Sequence, residues 1–311
     1  MYIPASSKYL KVLYGAHIYG PKTAAMHRAR ELGFDTVQIF LGGPQRMFVR
    51  DIREDIKTAI KELIAEKNIC VIAHAPYAMN IFSKDADIRS SSWSAIMHHS
   101  SVCSEMNIGI AVMHENRTMD REKRIHTVKA FAIAYTEHEL KRKPGERVIL
   151  AFENQNDKID ELYELVMEAK DELERVGLPS SYITTCADIT HVYMYTRPAK
   201  SWEEFTGNLF PVLLKMAENG ALNVIHVSDT AHPMGSNKHR HTFIGEGTIG
   251  MENIYSVLKW TKKLRKVKAI YKDVPLSKTI SVILEHPSNT LRTFESDDAF
   301  SIILKSGIRH R

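Results

Sequence analysis

The 311-residue chain carries 42 Lys and Arg against 37 Asp and Glu, a formal net charge of +5, with 44% hydrophobic and 25% charged residues. Those proportions are those of a soluble globular protein. No apolar run approaches the roughly 18 residues of a spanning helix, and the N-terminus lacks the apolar core of a secretory signal, so an intracellular, non-membrane protein is expected. The surplus of positive charge leans towards an anionic partner.

In chain order, short β-branched runs alternate with longer amphipathic ones. The strand-like runs are YLKVLYGAH from Tyr9, TVQIFLG from Thr36, ICVIAHAPY from Ile69, GIAVMHEN from Gly109, RVILAFEN from Arg147, ITTCADITH from Ile183, LNVIHVSD from Leu222 and KTISVILEHP from Lys278. Between them, EDIKTAIKELIAEKN and KIDELYELVMEAKDELERVGL have helical spacing. In the latter, Ile159, Leu162, Leu165, Val166 and Ala169 form one stripe, and Gly177 with Pro179 marks the stop. Runs that are apolar almost throughout belong in a parallel sheet covered on both faces. Eight strand–helix units without a linker predict an α/β fold: a single (β/α)8 TIM barrel spanning residues 1–311. A doubly wound open sheet is the alternative. Cys70, Cys103 and Cys186 are far apart, which predicts reduced core thiols and no disulfide frame. The basic run Lys259 to Lys268 reads as the solvated face of a helix.

The barrel is preferred because the strands end in potential metal ligands. The third gives His74, the fourth His114, the fifth Glu153, the sixth Asp188 and then His191, the seventh His226 and the eighth Glu285. In a barrel these ends surround one mouth, where catalytic residues of that fold sit. A lone histidine after a strand is usually a hydrogen-bonded structural residue; the repetition over six strands is what points to a site. Imidazole mixed with carboxylate suits zinc, manganese or iron in catalytic centres. Glu153 and Glu285 could bridge ions, and paired ions roughly 3.5–4 Å apart are a common device for phosphodiester cleavage. The stretch KHRHTFIGEG adds His239 and His241. In an extended segment they point the same way and could grip one ion, with Arg240 turned elsewhere towards phosphate. A solvated surface loop is the plainer reading.

The motifs HAPY (His74 to Tyr77), FEN (Phe152 to Asn154), DITH (Asp188 to His191), HVSD (His226 to Asp229), HRHTFIGEGTIG (His239 to Gly250) and LEHP (from Leu284) occur in this order. In that combination the chain resembles the endonuclease IV family, zinc-dependent apurinic/apyrimidinic endonucleases of DNA base-excision repair. The resemblance covers most of the chain, from Gly15 to Pro287. It implies a zinc-dependent phosphodiesterase that hydrolyses duplex DNA 5′ to an abasic site and leaves a 3′-hydroxyl. It also implies three Zn2+ ions, Mn2+ or Fe2+ being possible at some sites. His74, His114 and Glu153 would hold the first; Glu153, Asp188, His226 and Glu285 the second; His191, His239 and His241 the third. Glu153 and Glu285 are the catalytic carboxylates of this scheme. Gln45 and Arg46 would enter the DNA beside the lesion, and Tyr77 would help fill the gap left by the extruded nucleotide, whose missing base makes it the cheapest to flip out. Arg240 completes the expected DNA contacts, and a monomer is expected.

Three places depart from the family pattern. Glu115-Asn116 replaces a Pro-Gly after His114, the loop after Glu153 reads ENQNDK without its usual glycine, and His239 stands where the family carries an aspartate. That last change replaces an anionic ligand by a neutral one. Two other functions stay open: a sugar isomerase or epimerase on a related barrel, which would not need His191, His239 and His241, and a catalytically silent protein that binds damaged DNA.

Overall fold

The computed structural model describes residues 7–287 except 117, 157, 198, 239, 272 and 273. Its frame alternates strand and helix: β1 (Lys11–His17), α1 (Lys22–Glu31), β2 (Thr36–Phe40), α2 (Glu54–Lys67), β3 (Cys70–His74), α3 (Ala86–Ser104), β4 (Ile110–His114), α4 (Arg121–Leu140), β5 (Ile149–Glu153) and α5 (Ile159–Arg175). It continues with β6 (Ile183–Asp188), α6 (Ile189–Tyr195), α7 (Trp202–Glu218), β7 (Leu222–Val227), a two-residue hairpin β8 (Asp229–Thr230) and β9 (His241–Thr242), α8 (Met251–Thr261) and β10 (Thr279–Leu284). Eight parallel strands close into a barrel in the order β1, β10, β7, β6, β5, β4, β3, β2. The expected (β/α)8 barrel is therefore the observed fold, and the open sheet is excluded.

The sequence explains the closure. Strands β3, β5, β6, β7 and β10 are buried at every position, as parallel strands between a packed lumen and a helical coat must be. Gly15 of β1 lies where a Cβ would come within 1.7 Å of the Thr36 carbonyl oxygen, so only glycine lets β1 and β2 approach. The α5 stripe faces inward as its spacing requires, with Leu162, Leu165, Val166, Ala169 and Leu173 buried. Each of those larger side chains contributes roughly 1.5–3 kcal/mol by leaving water. The helix ends in the left-handed turn at Gly177. Side-chain caps set the starts of α3 and α4: the Asp85 carboxylate accepts from the amides of Asp87 and Ile88, and Asp120 from Lys123.

Two features of the frame aim the site. Opposite β6, the residues Leu222 and Val224 pair with the adjacent Thr185 and Cys186, so Asn223 is an extra residue in the ladder. Its amide turns away to donate to the carbonyls of Leu276 and Thr279, at 3.2 and 2.7 Å. This bulge brings Asp188 directly opposite His226. The basic run behaves differently from a single solvated helix: α8 stops at Thr261, and Lys262–Lys266 is a tighter 3-10 turn. Val267 accepts from the Leu10 amide, and Tyr9 pairs with Lys268, so the run packs at the N-terminal end of β1, opposite the mouth.

Candidate metal centre

At the C-terminal mouth, four clusters of potential ligand atoms lie within 4.8 Å of one another among the described residues. They are His74, His114 and Glu153; Glu153, Cys186 and His226; Asp188, His226 and Glu285; and Asp188, His191 and His241. Glu153, Asp188 and His226 each belong to two clusters, so the groups merge into one centre. The expected ligands from six strand ends and His241 from β9 are thus brought together. His239 lies outside the described residues. Glu153 is the hub: its carboxylate is 3.1 Å from His74 Nε2, 3.3 Å from His114 Nε2 and 3.2 Å from His226 Nδ1.

The outer nitrogens of the rings are all engaged. The Nδ1 of His74 donates to the Ala75 carbonyl at 2.8 Å, and that of His191 to the Asn154 carbonyl at 2.7 Å. A carbonyl can only accept, so both rings carry their proton on Nδ1 and present a lone pair at Nε2. His226 meets the Gln38 amide oxygen through Nε2 at 2.9 Å, His241 meets the Ser228 hydroxyl through Nδ1 at 2.5 Å, and His114 meets the Gln155 amide through Nδ1 at 2.6 Å. At His74, His114 and His226 one nitrogen is held from behind while the other faces Glu153, the arrangement that orients ligating histidines; the Nδ1 of His191 also lies 3.4 Å from Asp188 Oδ2.

Charge makes the same case. Burial alone would push the Glu153 carboxyl up, but His226 and His114 outweigh it and hold the group well below the usual carboxylate range. Glu285 is likewise held down against burial by His226 and His17. Asp188 has no such relief: burial, with the nearby Glu153 and Glu285 charges, pushes it up to about 7 against the pull of His241 and His226. Its Oδ1 accepts from the His191 amide at 2.8 Å, whereas its buried Oδ2 has no hydrogen-bond partner. A buried carboxylate oxygen without a hydrogen-bond partner, gathered with two further carboxylates, is a defect for a protein alone. It fits divalent cations, and the mixed nitrogen and oxygen donors suit zinc, manganese or iron.

Local chemistry explains why the motifs read as they do. Asp188 ends β6 and caps α6, so capping places His191 one turn away on the same side as Asp188. Asp229 serves as a clamp: its carboxylate accepts from the amides of Gly245, Gly247, Ile249 and Gly250 at 3.0–3.2 Å. A Cβ on Gly247 would fall 2.2 Å from Asp229 Oδ1, which is the physical reason for the GEG turn. The loop so gathered follows His241. At the first departure from the family pattern, Glu115 is fully buried and 2.5 Å from the equally sequestered Arg124, while Asn116 donates to the Met79 carbonyl at 3.0 Å.

The expected DNA contacts ring the opening. Tyr77 is 39% exposed and stacks on His114, ring centroids 5.0 Å apart. The loop after β2 is tied to it through the Tyr77 amide, which donates to the Pro44 carbonyl at 2.7 Å. Gln45 and Arg46 are exposed on that loop, where Arg46 shares a cavity of about 480 Å³ with Lys22 and Arg50. Arg240 is exposed beside β9. The mouth itself is a cavity of about 410 Å³, lined by His74, Tyr77, His114, Glu153, Gln155 and His191 among others.

Sequence reasoning missed Gln38 and His17. The Gln38 amide nitrogen donates to Glu285 at 2.7 Å while its oxygen meets His226, so one carboxamide spans two candidate ligands. His17 is buried, 3.4 Å from Glu285 through Nδ1, and stacked on Tyr19 at 4.3 Å. A glutamine inside the strand-like TVQIF was the available signal that a polar side chain is buried there, though not of what it meets.

The family described as xylose isomerase-like TIM barrel matches residues 26–262 of the chain. A probable endonuclease 4 of Aquifex aeolicus is 26% identical over 252 residues, covering 79% of this chain and 86% of that protein. A probable endonuclease 4 of Persephonella marina is 29% identical over 249 residues, covering 77% and 83%. In structure, endonuclease IV from Thermus thermophilus superimposes with a TM-score of 0.68 at 19% identity, covering 94% of this chain and 99% of the other.

Proposed function

The chain belongs to the xylose isomerase-like TIM barrel family, and from that premise we propose that it is a metal-dependent endonuclease that hydrolyses the phosphodiester 5′ to abasic sites in duplex DNA. The observation that carries this reading is the merged ligand cluster, with the orphaned Asp188 Oδ2 at its centre and a second set of His191 and His241 beside it. A sugar isomerase of the same fold would not need that extra set. The relatives named probable endonuclease 4 support the nuclease.

His74, His114 and Glu153 would hold one ion, Glu153, Asp188, His226 and Glu285 a second, and His191, His241 and His239 a third. Divalent cations so held lower the pKa of water and neutralise charge on phosphate oxygens. Glu153 orients the centre, since three imidazoles converge on its carboxylate. Tyr77, stacked on His114 at the rim, would cover the gap where the lesion leaves the helix. Arg46 and Gln45 would meet the DNA backbone beside it, and Arg240 a phosphate across the opening.

The test uses duplex DNA with a single tetrahydrofuran abasic analogue, with and without prolonged chelation. Incision 5′ to the lesion, lost on chelation, is expected. Binding without incision would point to the silent damage binder, and neither binding nor incision to a sugar enzyme.

A further inference from the structure

His114 is the most exposed of the imidazoles facing Glu153, its side chain 14% accessible against 3% for His74 and 0% for His226. His74 and His191 are held from behind by backbone carbonyls and His226 by the deeply buried Gln38. At His114 the corresponding place is taken by Gln155, whose side-chain amide nitrogen is placed 2.6 Å from Nδ1, in the loop after β5. We propose that Gln155 is the positioning residue for His114: with its carboxamide given a half-turn, which brings the oxygen to that place, it takes the Nδ1 proton and keeps the Nε2 lone pair aimed at the cluster around Glu153. The proposal rests on the reading of His114 as a metal ligand.

Three observations carry it. The loop is fixed just before Gln155, because Asn154 is buried and grips Asp188 in both directions. Its Oδ1 accepts from the Asp188 amide at 2.8 Å, and its Nδ2 donates to the Asp188 carbonyl at 3.0 Å. Just after it, Asn156 Oδ1 accepts from the Lys158 amide at 3.1 Å. Gln155 is thus aimed by its neighbours. Second, the stacked Tyr77 ring restrains the tilt of His114 but not its rotation within the ring plane, which only a group at the ring edge can restrain. Third, His114 Nε2 faces Glu153 at 3.3 Å, so a ring that ligates through Nε2 carries its proton on Nδ1 and needs an acceptor there. The oxygen and nitrogen of a carboxamide exchange by a half-turn. That turn breaks nothing else, since Gln155 makes no other side-chain hydrogen bond among the described residues.

The test separates acceptor from donor. Metal-stripped parent, Gln155→Glu (acceptor only) and Gln155→Met (neither) are reloaded with Co2+, and affinity is read from visible d–d absorption in chelator competition. Losing an outer partner typically weakens metal binding about 10–100-fold. That loss is expected for the most chelator-labile Co2+ of Gln155→Met, while Gln155→Glu stays within a few fold of the parent. On a His114→Ala background, Gln155→Met should change nothing further. Equal melting of the metal-free variants would exclude a folding defect. Parental Co2+ affinity in Gln155→Met, or equal losses in both variants, would overturn the proposal. A parent that takes up no Co2+ would instead sink the metal reading on which it stands.

Discussion

Imidazole is useful as a ligand only when the right nitrogen is free, and here the proton positions are built into the surroundings. The carbonyls of Ala75 and Asn154 leave His74 and His191 one possible tautomer each. Gln38 does the same for His226 and holds Glu285 with its other atom. Gln38→Leu should therefore release both, weakening Co2+ or Zn2+ binding by about 10–100-fold, measured by chelator competition. Unchanged affinity would make Gln38 mere packing. His239 carries a different expectation. If it ligates as a neutral group, in place of the aspartate that the resemblance to endonuclease IV implies, His239→Asp should tighten the third ion, and His239→Ala should lower the metal count by one in elemental analysis. An unchanged count in His239→Ala would remove it from the ligand set. Most of the candidate ligands were legible because they end strands, where chain order and barrel geometry converge. Gln38 and His17 were not, because nothing in TVQIF or GAH says that an inward polar side chain will find Glu285 from the far end of the chain.

Elements set the aim of these residues through devices that periodicity does not reveal. The extra residue at Asn223 puts Asp188 opposite His226, yet LNVIHV reads as an ordinary strand. The GEG turn was legible as a turn, but its cause, four backbone amides gathered by the Asp229 carboxylate, needed coordinates. Asp229→Asn keeps the shape but removes the charge and sets an NH2 donor against backbone N–H groups, so it should cost at least about 2 kcal/mol of stability, on the order of a charged hydrogen bond, in denaturant unfolding. It should also lower metal uptake at the cluster containing His241. A variant of parental stability would show the amides content with a neutral acceptor. Glu115→Ala breaks a buried pair and leaves Arg124 only its longer contact with Glu161 at 3.4 Å, a change that typically costs about 3–5 kcal/mol; a loss under about 1 kcal/mol would mean that Glu161 or water satisfies the guanidinium.

For the whole molecule, the alternation of buried strands and amphipathic helices such as α5 pointed to a parallel sheet covered on both faces, and the ligand types at the strand ends were what favoured the barrel over an open sheet. The distribution of charge could not be read from the sequence. The basic run from Lys259 to Lys268 supplies much of the cationic surplus, yet it packs at the end of β1 away from the mouth, whereas Lys22, Arg46 and Arg50 share a cavity between the loops after β1 and β2. In salt titrations of binding to lesion duplex, Arg46→Ala should reduce the slope of log K against log salt by about 1, while Lys263→Ala with Lys266→Ala should leave it unchanged. A drop with the lysine pair would move the DNA to the opposite face.

The central claim is that the cluster around Glu153 hydrolyses the backbone at an abasic site. Its most direct test is incision of duplex DNA carrying one natural abasic nucleotide, by metal-reconstituted parent and Glu153→Gln, with the new 3′ end tested for extension by a polymerase. The parent should cut 5′ to the lesion and leave an end that is extended at once, and Glu153→Gln should be slower by at least about a hundredfold. Equal rates for the two proteins, or a 3′ end that no polymerase extends, would contradict it.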